Sequence, residues 1–192
     1  MDALSEDSGR SGVITRRRLL KLGAASLATL SMPAAVIAGL RAPTPPARSL
    51  AFYNLHTGES LTTTYWEKGR YVSGALGEIN YILRDFRANE THVIEPSLLD
   101  LLHALARKLD THEPFNIISG SRSPATNAML AARSEGVARH SLHQFGKAAD
   151  IRVPGRDLAT LHQVAVALHG GGVGYYPKSD FVHVDVGRVR YW

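Results

Sequence analysis

The run Phe181-Val-His-Val-Asp-Val186 decides how this 192-residue chain folds. In an extended strand successive side chains point to opposite faces, so the three valines share one face and Phe181, His183 and Asp185 share the other. The valine face can be buried in a core. A carboxylate on a half-buried strand is costly unless it is paired or bound to a metal. The pattern therefore predicts a sheet whose second face carries a polar, functional site.

A second polar segment, Ser141-Leu-His-Gln-Phe-Gly-Lys-Ala-Ala-Asp150, precedes this strand in the chain. Asp150 lies in a predicted strand, and His143 lies in the loop that enters it. Gly146 permits a turn that returns His143 towards Asp150, because glycine accepts positive φ angles. Two imidazoles and one carboxylate, with the fourth position open, form a common catalytic zinc site. The sequence therefore predicts one Zn²⁺ ion held by His143, Asp150 and His183.

A hydrolytic zinc site also needs a general base, and two carboxylates are candidates. Asp185 shares the predicted face of His183. Asp180, three residues before His183, would join the site if the chain turns at Lys178–Asp180. The residues leave both assignments open.

Hydrophobic patterning predicts the remaining elements. Two segments rich in aromatic residues, Leu50–His56 and Ser60–Trp66, predict a β-hairpin. Periodic apolar residues predict four helices, over Gly74–Arg87, Pro96–Asp110, Pro124–Glu135 and Leu158–His169. Further strands are predicted over Phe115–Ser119, Lys147–Val153, Val173–Tyr176 and Phe181–Val186. This irregular alternation is typical of a single α+β domain, with a small, mainly antiparallel sheet flanked by helices.

The amino-terminal segment has the pattern of an export signal. Residues 15–21, which include three arginines and a lysine, precede an apolar stretch that runs to Ala38 and ends in small residues. The three arginines, preceded by Thr and followed by two Leu and a Lys, resemble a twin-arginine signal. We expect residues 1–38 to direct export to the periplasm, with only transient membrane contact; an uncleaved membrane anchor is the alternative. A Pro-rich linker, 39–49, and a catalytic domain, 50–192, follow.

Composition excludes some chemistries. The chain has no cysteine, so disulfides, thiolate metal sites and cysteine nucleophiles are ruled out. The formal net charge is +5, of which the export segment contributes +2 (five basic residues against three acidic ones). The remaining +3 is weak support for a polyanionic partner, and no interleaved basic and aromatic stripe is present. We therefore expect no nucleic-acid partner.

The motif Ser141-x-His-x-x-Gly146-x-Ala-x-Asp150, followed by a later His, resembles that of the LAS-type zinc peptidases. This superfamily includes D-Ala-D-Ala carboxypeptidases and murein endopeptidases. The runs Ser119–Asn127, Arg139–Ser141 and Phe181–Trp192 are most similar to the YcbK-like group of murein endopeptidases, and the resemblance covers about residues 52–192. It implies the hedgehog/D-Ala-D-Ala peptidase-like fold.

The resemblance also implies roles for individual residues. His143, Asp150 and His183 match zinc ligands, and Arg122 matches an arginine that approaches the substrate carbonyl or carboxylate. Many relatives carry Glu three residues before the last ligand, or His two before it; this chain has Asp180 and Phe181 there. His140 and Asp185 are further candidates for substrate contacts or for supporting the ligands.

The implied function is that of an exported zinc metallopeptidase that hydrolyses peptide cross-links of peptidoglycan, with the peptide stems as its partners. Two alternatives stay open at this point. One is a D,D-carboxypeptidase that acts on the same polymer. The other is a peptidoglycan-binding module without catalytic activity, which the missing Glu would explain.

Overall fold

The computed structural model describes residues 45–134 and 136–192. The predicted export signal, linker residues 39–44 and the predicted helix end at Glu135 lie outside the described residues. The described part forms an α+β domain, as predicted. Its strands are β1 (Arg48–Asn54), β2 (Ser60–Glu67), β3 (Arg70–Tyr71), β4 (Phe115–Ser119), β5 (Ala148–Arg152), β6 (Gly172–Tyr176), β7 (Phe181–Asp185) and β8 (Arg190–Tyr191).

All eight strands form one sheet, in the order β3-β2-β1-β4-β5-β7-β6-β8. Neighbours run antiparallel except for the pairs β1–β4 and β6–β8, so the prediction of a mainly antiparallel sheet is confirmed. The sheet is larger than predicted because two short edge strands, β3 and β8, extend it. Strands β5 and β7, which carry two of the three predicted ligands, Asp150 and His183, lie side by side near its middle.

Four α-helices accompany the sheet in the described residues: α1 (Ser73–Ile82), α2 (Pro96–Lys108), α3 (Pro124–Arg133) and α4 (Leu158–Ala167). Proline stands at the start of α2 and α3, where the missing N–H has no helical partner to lose. Four leucines of α2, Leu98, Leu99, Leu102 and Leu105, are fully buried. They pack into the same core as the valine face of β7, where Val182 and Val184 are 0% and 1% exposed. No helix among the described residues has the length and apolarity needed to span a membrane.

The first helix ends earlier than predicted. The sequence pattern extended it to Arg87, but α1 stops at Ile82. The Asp85 carboxylate accepts hydrogen bonds from the backbone N–H groups of Arg87 and Ala88, at 3.0 and 3.3 Å. An aspartate that captures nearby N–H groups offers the backbone a turn instead of a helix. The same carboxylate accepts the Ser123 N–H at 2.9 Å, which ties this turn to the loop before α3.

Candidate metal centre

Strand register and one tight turn bring the predicted ligands together. Asp150 in β5 lies directly opposite His183 in β7. His143 lies in a short 3₁₀ helix, Leu142–Phe145, and its backbone N–H donates to the Ser141 hydroxyl, which caps this helix. This helix ends at Gly146 in the left-handed conformation, with φ 63°, as the sequence predicted. The chain then enters β5, and the imidazole lies beside the carboxylate.

Gly146 is required at this turn for a second reason. A Cβ atom there would lie 2.0 Å from the Val93 carbonyl oxygen. Gly155 is a matched control, because its φ is also positive (+70°) but no atom lies near its missing Cβ.

We expect Gly146→Ala to lower the free energy of unfolding by several kcal/mol, against about 1 kcal/mol for Gly155→Ala, where only backbone strain is added. Urea unfolding of both variants measures the difference. Equal losses would show that the contact with Val93 relaxes at no cost.

The three predicted ligands present donor atoms to one another at close range. His143 Nε2 lies 3.2 Å from Asp150 Oδ1 and 3.2 Å from His183 Nδ1. His183 Nδ1 lies 2.9 Å from the same Asp150 oxygen. Donors bonded at about 2.0–2.1 Å to one tetrahedral zinc ion lie about 3.4 Å apart. The triangle therefore has nearly the size that such an ion requires.

The outer hydrogen bonds of the two imidazoles determine which nitrogens carry protons. His143 Nδ1 lies 2.6 Å from the Gly120 carbonyl, which can only accept, so this nitrogen donates. His183 Nε2 donates to the Asp185 carboxylate at 3.0 Å. When both rings are neutral, the nitrogens that face each other, His143 Nε2 and His183 Nδ1, are therefore the ones with free lone pairs. Two lone pairs and a carboxylate oxygen that converge in a buried site need a cation between them, so the donor set fits a metal ion.

The ionisation of the cluster agrees with this reading. Burial alone would raise the pKa of Asp150, but the two imidazoles outweigh it and hold that pKa far below its ordinary value. Burial lowers the pKa of His143, which keeps its ring neutral. Burial also opposes protonation of His183, yet its hydrogen bonds to Asp150 and Asp185 raise its pKa above the ordinary value. The cluster thus attracts positive charge.

Arg122 orients the ligand carboxylate. Its guanidinium donates to Asp150 Oδ2 at 2.7 Å and to the Ser119 hydroxyl at 2.9 Å. One Asp150 oxygen is therefore held by Arg122, and the other faces the two histidines. The Arg122 side chain is 11% exposed and lines the pocket beside the ligands.

The two carboxylates predicted as general base have different surroundings. Asp185 is fully buried, and its oxygens accept from His183, Arg190 and the N–H groups of Gly172 and Gly187. Burial would raise the pKa of Asp185, but these hydrogen bonds, that of His183 foremost, lower it. This arrangement is that of a carboxylate that orients a metal-binding imidazole.

Asp180 is exposed and forms an ion pair with Arg152 of β5. Its neighbours Ser179 and Phe181 line the pocket, whereas neither Asp180 nor Asp185 is among the described residues that do so. The assignment of the base to one of these two carboxylates stays a prediction, and the surroundings of Asp185 do not favour it.

An open pocket of about 480 Å³ gives access to the ligands. His140, another predicted candidate, lines it. Three aromatic side chains also line it: Tyr176, Phe181 and Trp192. Alternation along β7 had placed Phe181 on the His183 face. The positions of Tyr176 and Trp192 depend on the pairing of β6 with β7 and β8, which sequence spacing alone does not reveal. The domain thus has the features of a hydrolase that could use one metal ion, because three protein ligands would leave a bound ion open towards the pocket.

Comparison with known proteins agrees with this class. Residues 42–192 match the family described as peptidoglycan L,D-endopeptidase MepK, and the chain belongs to this family. It is 42% identical over 177 residues to the peptidoglycan L,D-endopeptidase MepK of Escherichia coli strain K12, which covers 92% of this chain and 96% of that protein. It is 38% identical over 178 residues to the probable peptidoglycan L,D-endopeptidase MepK of Haemophilus influenzae, with coverage of 92% and 95%.

Proposed function

We propose that this protein is a zinc-dependent endopeptidase that hydrolyses L,D amide bonds in the peptide cross-links of peptidoglycan. The observation that carries the proposal is the convergence of three lone-pair donors of His143, Asp150 and His183 beside an open pocket. The relatives are peptidoglycan L,D-endopeptidases by name, which supports both the substrate and the bond type. A role in cell-wall remodelling in the periplasm follows from that substrate and from the twin-arginine-like signal in residues 1–38.

In this proposal each residue of the site has a physical task. A bound zinc ion supplies Lewis acidity and activates water at neutral pH. His143 and His183 present neutral nitrogens to the ion, and Asp150 contributes one carboxylate oxygen. Arg122 fixes the second oxygen of Asp150. Because its guanidinium also borders the pocket, it can stabilise negative charge that develops on the substrate carbonyl oxygen.

The proposal is tested with purified protein, one equivalent of zinc and isolated muropeptide dimers. We expect monomers to accumulate. Release of terminal D-Ala without monomers would identify a D,D-carboxypeptidase instead. Binding of dimers without any product would identify a peptidoglycan-binding module. Dimers linked through D,D bonds serve as the matched substrate control for the L,D assignment.

The role of Asp180 is decided by a conservative substitution. A general base contributes about 10²- to 10⁴-fold to the rate. Since Asp180 is exposed, pairs with Arg152 and does not line the pocket, we expect Asp180→Asn to lower kcat less than about 10-fold. Steady-state kinetics on muropeptide dimers measures the effect, with Asp157→Asn as a control at an exposed helix cap that does not line the pocket. A loss of 10²-fold or more would identify Asp180 as the base.

A further inference from the structure

The indole of Trp192 is held rigidly although half of it is exposed. Its backbone N–H donates to the Val173 carbonyl at 3.2 Å, and its carbonyl accepts from the Tyr175 N–H at 2.9 Å. The indole Nε1–H donates to the Tyr176 hydroxyl at 2.7 Å. The guanidinium of Arg190 packs over the ring, 4.9 Å from its centroid. These contacts fix the position of a side chain that is 48% exposed.

The neighbouring strand β6 provides the space that this ring occupies. A Cβ atom on Gly174 would lie 2.6 Å from the indole, so only glycine leaves room for it. Gly174 pairs with His183 across the sheet, and the indole therefore lies beside that ligand, with ring centroids 5.3 Å apart. The residues thus place a large apolar surface next to a metal ligand, at the edge of the open pocket.

Trp192 is part of a continuous aromatic wall. Tyr176 and Phe181 stack with ring centroids 4.5 Å apart, and both line the pocket together with Trp192. A rigid, exposed aromatic surface binds ligand carbon atoms at little entropic cost. Nothing in its contacts suggests a core-packing role alone, since half of the indole surface faces solvent.

We propose that Trp192 is a specificity-determining residue that binds the stem-peptide residue directly next to the scissile amide, through its aliphatic carbons. This inference rests on the proposed function and names its substrate contact. The short distance between the indole and His183 restricts which part of the substrate can bind there. A group in contact with the indole lies within about one residue of the metal ligands. Each residue of extended chain spans about 3.3–3.6 Å, so a sugar several residues from the cross-link lies too far away.

Kinetics provide the first test. Burying about 100 Å² of apolar surface changes binding by roughly 10- to 100-fold. We expect Trp192→Ala to raise KM for muropeptide dimers by about that factor and to change kcat less than about 5-fold, because the contact is made equally in ground and transition states. Tyr191→Ala is the matched control. Tyr191 is the adjacent residue, at the end of β8, and is also exposed, but its hydroxyl lies 2.7 Å from His169 Nδ1, away from the pocket-lining residues. Unchanged KM in Trp192→Ala, with native circular dichroism, would overturn the proposal.

A binding measurement separates this proposal from the proposed reaction. The chain has two tryptophans, so Trp66→Phe leaves Trp192 as the sole indole reporter. The zinc-loaded Trp66→Phe protein would be titrated with monomeric stem peptides that it does not cleave. One set of peptides carries the attached sugar and the other lacks it. A saturable fluorescence change with similar affinity for both ligands supports the contact, even if no cross-link is ever cleaved. A change that requires the sugar, or none while equilibrium dialysis shows binding, would contradict it.

Discussion

His143→Ala is expected to abolish zinc binding at one equivalent and to lower the rate of cross-link cleavage by at least about 10³-fold. His143 Nε2 closes a triangle with Asp150 and His183 whose sides measure 2.9 to 3.2 Å, and no other described donor replaces it. Loss of the ion removes several kcal/mol of transition-state stabilisation, and each 1.4 kcal/mol is about tenfold in rate. Elemental analysis and single-turnover cleavage measure the two effects.

Thermal unfolding gives an independent readout of the same substitution. A ligand that binds only the folded state stabilises it by about 2.7 kcal/mol at 100 times its Kd. Zinc should therefore raise the Tm of the wild-type protein and leave that of His143→Ala unchanged. The control is His112→Ala, which replaces an exposed histidine outside the metal-binding group. A His143→Ala protein that keeps one zinc ion and full activity would refute the assigned metal centre.

The convergence of the three predicted ligand residues could be predicted because local sequence patterns determine their positions. Alternation along Phe181–Asp185 placed His183 on a polar face, and Gly146 predicted the turn that returns His143. Asp150 lies opposite His183 once the two predicted strands that carry them pair with each other. Strand bounds were accurate to within two residues for the same reason, since alternating apolar residues have to match one buried face.

Other parts of the site depend on long-range contacts that a single sequence does not encode locally. The Gly120 carbonyl that orients His143 is a backbone atom, so no side-chain pattern marks it. The position of the Trp192 indole depends on the pairing of β8 with β6, and only two residue pairs connect these strands. The early end of α1 came from a carboxylate that captures two N–H groups, a local competition that helical periodicity does not reveal.

Asp185→Asn is expected to weaken zinc binding by about 10- to 100-fold, although Asp185 is not one of the three predicted ligands and acts through its hydrogen bond to His183. All contacts of the carboxylate come from donors: Gly172, Gly187 and Arg190 on Oδ1, and His183 and Arg190 on Oδ2. If the NH₂ group of the asparagine side chain takes the place of Oδ2, it would donate to His183 Nε2. The ring would then carry its proton on Nδ1, which is the nitrogen that faces the metal. If the NH₂ group instead takes the place of Oδ1, it opposes the N–H groups of Gly172 and Gly187, at a cost of about 1–3 kcal/mol for each donor left unsatisfied.

The zinc Kd, measured by competition with a chelating dye, checks this expectation, and Asp157→Asn is the control because asparagine caps a helix as well as aspartate does. Combining Asp185→Asn with Arg190→Gln distinguishes two explanations of the effect on zinc binding. If Asp185 acts by orienting His183, Asp185→Asn weakens zinc binding equally in the wild-type and in an Arg190→Gln background. If it acts only as the partner of the Arg190 guanidinium, which lies 2.7 Å from its Oδ2, the effect disappears in that background. The hydrogen bond to His183 Nε2 leads us to expect the first result, and a vanishing effect would assign Asp185 to the stability of the β7–β8 connection instead.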